Sequence, residues 1–213
     1  MKRTHNSKYQ TILLCTSRLL RKWVITATLT VVVFCLSAFM PCTTIAQDFA
    51  VTVYGGRVTM DIWSKSLTPG VEFADAYIMV GALSWTAHRF FNGAVSLELE
   101  GQVGKYFGDQ DNWEFNLPIV TGRWNKFPWN HLITTSFAFG IGPSYATRVP
   151  PLEDVINESS QQWLIYWFGE LTFGPPKKNW SVALRLHHRS CGFGFVAEHG
   201  GLNILAAGIK YRW

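Results

Sequence analysis

Cysteine is scarce in this sequence, and three of its four copies (Cys15, Cys35 and Cys42) fall within the first 46 residues. Those residues also contain no Asp or Glu, yet they hold six of the 19 Lys and Arg: Lys2, Arg3, Lys8, Arg18, Arg21 and Lys22. An apolar run from Val24 to Met40 follows, and Thr44-Ile45-Ala46 offers small residues at the expected cleavage positions, which is the layout of a secretory signal. The run is short for a transmembrane anchor. Pro41 stands where a lipidated Cys42 would need a small neighbour. The sequence therefore reads as a signal peptide over 1–46 and one domain over 47–213.

Once that leader is removed, other things are missing as well. Taking the six leader cations from 19 leaves 13 Lys and Arg against 14 Asp and Glu, a net charge of −1. The isoelectric point near 9.1 belongs to the leader, so no nucleic-acid partner is expected. Only Cys191 remains, which excludes an intramolecular disulfide even in an oxidising compartment. The chain shows no helical periodicity, no repeat of solenoid length, and no GxSxG, P-loop or HExxH motif. His187 and His188 alternate between faces and His199 falls in a loop, so no metal or cofactor is expected.

What is present is β-type alternation, in eight segments near 49–60, 76–90, 93–107, 113–124, 131–147, 161–174, 179–190 and 202–213. In "AVSLELEGQV", Val95, Leu97, Leu99 and Val103 share one face, and Ser96, Glu98, Glu100 and Gln102 share the other. A soluble sandwich could alternate in the same way. Three features favour a membrane barrel instead. Nearly every segment reaches ten residues, which suits a tilted bilayer crossing. Trp85, Trp113, Trp124, Trp129, Trp163, Trp180, Tyr211 and Trp213 gather near segment ends, as interfacial girdles do. The chain ends "GIKYRW", an aromatic terminal strand of the kind presented to the outer-membrane assembly machinery. The expected fold is all-β: an eight-stranded antiparallel transmembrane β-barrel in a bacterial outer membrane.

Connection lengths orient it. Asn92-Gly93, "NKFPWN" and "GPPKKN" are short turns, whereas 61–75, 150–160 and 191–201 are longer. Short periplasmic turns and long outer loops put both termini in the periplasm. The segment 179–190 then runs outward. Trp180, Val182, Leu184, Leu186, His188 and Ser190 share its lipid face, because the opposite choice would point Arg185 and Arg189 at hydrocarbon. His187 and Arg189 face the lumen, with Glu98, Glu100, Glu170, Arg185, Lys210 and Arg212, which suggests a plugged, salt-bridged interior. Counting back from Trp213 brings Asn203 near Ser190 on the adjacent strand. Ser190, His188 and Asn203 could supply a nucleophile, a general base and a group that orients the imidazole. The same residue types are also ordinary at a membrane–water boundary.

The His-x-Ser of His188-Arg189-Ser190, near the end of the penultimate strand of a signal-bearing barrel, resembles the lipid A 3-O-deacylases, also called acyloxyacyl hydrolase-like proteins. "GIGPSYATRV", Gly140 to Val149, is similar to the fifth strand of that family. The resemblance implies a serine esterase acting on an acyl ester of lipid A in lipopolysaccharide, with Ser190 as nucleophile and His188 as base. Two positions depart from the family pattern. Its third member is a glutamate on the final strand, where Leu202 and Asn203 stand here and the nearest acid is Glu198. The asparagine that helps to hold the family's oxyanion is replaced by Cys191. The rival reading is a non-enzymatic outer-membrane barrel with a structural, adhesion or binding role.

Overall fold

The computed structural model describes residues 48–192 and 194–213. The expected signal peptide and its cleavage point lie outside the described residues. The strands are β1 (Phe49–Thr59), β2 (Phe73–Phe90), β3 (Val95–Gly108), β4 (Trp113–Asn116), β5 (Val120–Trp124), β6 (Thr134–Ala146), β7 (Trp163–Gly174), β8 (Trp180–Ser190) and β9 (Gly201–Arg212). A 3-10 turn (Lys65–Leu67) follows β1, and a helix, α1 (Pro151–Asn157), lies between β6 and β7.

These nine pieces make an eight-stranded ring. β4 and β5 each pair with both β3 and β6, so they are two halves of one staff of the barrel, interrupted at residues 117–119. Pro118 explains the interruption, because it has no N–H to give to a ladder. The neighbouring strands adapt to the break: the Glu100 N–H donates to Pro118 O at 3.1 Å, and the Leu117 N–H to Pro143 O at 3.0 Å. The backbone comes so close there that a Cβ on Gly142 would lie 1.9 Å from Leu117 O. The ring closes through β1 and β9, antiparallel from Ala50↔Arg212 to Thr59↔Asn203. β2 begins at Phe73, three residues before the expected 76, and irregular pairing between Arg57 and Thr59 absorbs the extra residues.

One end of the barrel carries the short turns and both ends of the described chain. Phe91, Asn92 and Gly93 all take left-handed backbone angles in the β2–β3 turn, with φ of 52°, 52° and 78°. The other end carries the long connections, including the 60–72 loop, the α1 segment and residues 191–200.

Alternation holds along most of each strand, with register shifts at Arg57/Thr59 in β1 and Thr86/His88 in β2. Outward side chains such as Val53, Met79, Leu83, Val103, Phe139, Leu184 and Ile209 are exposed and apolar, in a continuous belt. Such a belt is a lipid-facing surface. Trp113, Trp124, Trp163, Trp180, Tyr211 and Trp213 edge it.

Inward side chains are buried and largely polar. Glu170 is the hub: it accepts from Arg123 at 2.8 Å and Lys210 at 3.1 Å, and it pairs with Arg185. Arg123 also binds Glu98 at 2.8 Å, and Arg185 binds Glu100 at 2.7 Å. Buried charges are tolerable only when paired in this way. Tyr54, Val58, Ile78, Tyr106, Leu202 and Ile204 form an apolar layer within the ring, and Leu152 and Ile156 of α1 pack against it. The helix therefore stoppers the lumen at the long-loop end.

Candidate functional site

β8 delivers its last residues to the rim at the long-loop end. The alternation in "WSVALRLHHRS" sends Arg185, His187 and Arg189 into the sealed interior and leaves Trp180, Val182 and Leu184 on the exposed outer wall. His188 and Ser190 belong to the outward row, each half-buried. What half-buries them is a loop and a tryptophan. Trp167, opposite His188 on β7, packs its ring 4.5 Å from the imidazole. Trp63, from the 60–72 loop, meets Trp167 edge-on at 6.1 Å. That loop folds down over the outside of the barrel.

Asn203 lies directly across from His188 on β9, and Ser190 is across from Gly201. The stagger thus differs by two residues from the count that placed Asn203 beside Ser190, and it favours contact with the histidine. Asn203 Oδ1 is 2.6 Å from His188 Nδ1. Its Nδ2 donates to the Asp61 carbonyl at 2.8 Å. A carbonyl oxygen can only accept, so the amide cannot be flipped without opposing two oxygens. Oδ1 therefore faces the imidazole, Nδ1 carries the proton, and Nε2 is the ring nitrogen that keeps a lone pair. The 60–72 loop holds this arrangement. Asp61 accepts from Lys65 Nζ at 2.6 Å and from the Glu72 N–H at 2.8 Å, which pins the carbonyl that orients Asn203.

Ser190 Oγ accepts the Gly192 N–H at 3.1 Å, and no hydrogen bond joins it to His188 among the described residues. The Cys191 N–H is engaged by Gly200 O at 3.2 Å. Glu198 is exposed in the 191–200 connection, and no hydrogen bond joins it to His188 among the described residues. His187 faces the lumen, where Nε2 meets Glu114 at 2.8 Å and Nδ1 meets the Tyr54 hydroxyl at 3.1 Å.

Below His188 and Ser190 the outer wall forms a half-open apolar groove of about 1100 Å3 running down β6 to β9. Phe139, Ile165, Trp167, Leu184 and Leu186 line its length, and Trp63, Leu67 and Phe195 stand at its loop end. Sequence reasoning missed this feature. Its wall residues were visible in the alternation, but nothing local marked the 60–72 loop as one of its sides, and Trp167 sits mid-strand where no girdle was expected.

The fold and this site define an eight-stranded transmembrane β-barrel that carries a histidine–amide pair and a serine on its lipid-facing wall, at the head of an apolar groove. Among solved structures, the chain is similar to the outer membrane enzyme PagL, with a TM-score of 0.55 and 10% identity over 76% of this chain and 98% of that one. It is also similar to neisserial surface protein A, NspA (TM-score 0.47, 7% identity, 79% of this chain and 98% of that one). A third likeness is to the N-terminal β-barrel domain of Pseudomonas aeruginosa OprF (TM-score 0.44, 10% identity, 78% and 98%). At these identities the likeness is one of fold. No protein-family model and no curated protein matches the chain.

Proposed function

We propose that this protein is a bacterial outer-membrane serine esterase that removes an ester-linked acyl chain from lipid A of lipopolysaccharide. The observation that carries the reading is the oriented His188–Asn203 pair, which faces outward at the head of an apolar groove with Ser190 next in the same row. A water-soluble substrate has no use for such a groove, whereas a lipid in the outer leaflet would lay its chain along the wall with its ester at the rim. The family resemblance of His188-Arg189-Ser190 and the fold shared with an outer membrane enzyme agree with this.

In the proposed reaction, Ser190 Oγ attacks the ester carbonyl carbon and its proton passes to His188 Nε2. The C–O bond to the sugar breaks, and the departing alkoxide takes that proton from Nε2. Water then hydrolyses the acyl-serine by the same route. Asn203 holds the imidazole tautomer. The Gly192 N–H, already at Ser190, is a donor available to the oxyanion. Both termini face the periplasm in this reading, and the aromatic last strand is the segment offered to the assembly machinery.

Mass spectrometry of lipid A from cells with and without the protein tests this directly. Loss of one acyl chain should depend on the protein, and Ser190→Ala and His188→Ala should each abolish it without unfolding the barrel. The two losses should not add, because the residues act as a unit. Full activity in Ser190→Ala would sink the mechanism. Unchanged lipid A would favour a structural or binding barrel, a reading supported by Ser190 Oγ being held by Gly192 rather than by His188.

A further inference from the structure

We propose that Gly169 sets the length of acyl chain that the wall groove accepts, an inference that rests on the acyl-ester reading above. Gly169 is in the outward row of β7, paired with Phe139 on β6 and Leu186 on β8, with Trp167 and Leu171 two residues away on its own strand. All four neighbours are large and all line the groove. The glycine leaves a socket between them.

Nothing in the barrel requires a glycine there. A Cβ on Gly169 would meet no atom within 4 Å, whereas one on Gly140 would lie 2.4 Å from the Phe168 ring and one on Gly208 2.2 Å from Val53 O. Those two glycines are demanded by packing and Gly169 is not. Open outward glycines also occur at Gly81, Gly101 and Gly122, so openness alone carries no meaning. Of these four, Gly169 is the one that lines the groove.

Its level matters. Ser190 pairs with Ile165, and Gly169 pairs with Leu186, four residues farther from the rim. Four residues of strand span ~13 Å. A chain whose carbonyl is at Ser190 and which runs down the groove would reach the socket only with its distal methylenes. Short chains would end above it. Long chains need it empty, or must leave the groove for bulk lipid and give up contact with Phe139 and Leu186.

The test compares Gly169→Leu with Gly101→Leu, which adds the same side chain at an open wall glycine outside the groove. Both should fold, as read by heat-modifiable migration. For decanoyl, dodecanoyl, tetradecanoyl and hexadecanoyl glycolipid esters, the quantity read is the chain-length preference of Gly169→Leu. Its kcat/KM for hexadecanoyl relative to decanoyl should fall roughly tenfold or more, the scale on which hydrophobic pockets discriminate. Gly101→Leu should keep the wild-type ratio. An unchanged ratio in Gly169→Leu, or the same change in Gly101→Leu, overturns the proposal. A second measurement needs no turnover: energy transfer from Trp63 and Trp167 to a bound polyene fatty acid in detergent micelles. It should saturate in wild type and Gly101→Leu and weaken in Gly169→Leu. Transfer without any esterase activity would end the enzymatic reading and leave the socket standing; equal transfer in all three proteins would remove the socket itself.

Discussion

Arg189 and Glu153 meet inside the barrel at 2.8 Å, directly behind the wall positions of His188 and Ser190. Arg189 is the residue between those two on β8, and Glu153 belongs to α1, so the helix that stoppers the lumen is fastened to the strand that carries the candidate site. Glu153 also accepts from Ser160 Oγ at 2.6 Å, and α1 reaches β9 through Asn157 Nδ2, which donates to Gly201 O at 2.9 Å. Both strands of the site are thus held from within.

Burial outweighs the Arg189 guanidinium at Glu153 and raises its carboxyl to about 7. A raised pKa means that the folded protein binds an extra proton in the window between about 4.5, the ordinary value, and about 7. Stability from this group is therefore fully present below that window and is lost as pH rises through it, by roughly 3 kcal/mol at most. Unfolding of the wild type in micelles should show this decline, and Glu153→Gln should flatten it. A parallel decline in both proteins would place the titration elsewhere.

For the candidate site, Asn203→Ala removes the acceptor of the His188 Nδ1 proton and frees the imidazole to rotate. It should lower kcat for acyl release by roughly tenfold, the worth of one well-placed hydrogen bond, with KM little changed because the groove is intact. Glu198→Ala should leave turnover near wild type. Steady-state kinetics on micellar lipid A decides the matter, and the opposite ranking would mean that the 191–200 connection folds back to bring a carboxylate to His188.

Neighbouring positions on β8 should respond to opposite substitutions. Leu184→Arg places a cation on the lipid wall and should cost about 2–4 kcal/mol if that residue sits near the bilayer midplane. Arg185→Leu leaves Glu100 and Glu170 buried without their shared guanidinium and should cost about 3–5 kcal/mol. Urea unfolding in bilayers measures both. A tolerated Arg185→Leu would mean that the interior carboxylates find water.

Much of this was legible in the alternation. Because "WSVALRLHHRS" places both arginines on one face, a lipid exterior decides the parity of every residue in the strand, and Arg185, His187 and Arg189 lie inside as that rule requires. The Pro118 interruption was not read: the expectation was one unbroken segment over 113–124, where the structure has two short strands. The parts that could not be read depend on where distant segments come to rest. Ring stagger, which no short stretch encodes, puts Asn203 opposite His188 rather than Ser190. Glu153 lies in an acidic, helix-forming loop that would normally be solvated, and its ion pair with Arg189, distant in sequence, holds it inside. The Asp61 carbonyl that orients Asn203 is backbone, so no residue type announces it.

The outward parity of His188, Ser190 and Asn203 also determines how a substrate arrives. With the lumen filled by the Glu170 network and stoppered by α1, the interior is closed as a route, and in the proposed acyl-ester reading the substrate comes sideways through the leaflet. Encounter is then two-dimensional diffusion, governed by the mole fraction of substrate in the membrane surface and not by its bulk concentration. In mixed micelles the rate should follow surface dilution with inert detergent, and it should hold steady when micelles of fixed composition are simply made more numerous at saturating total lipid.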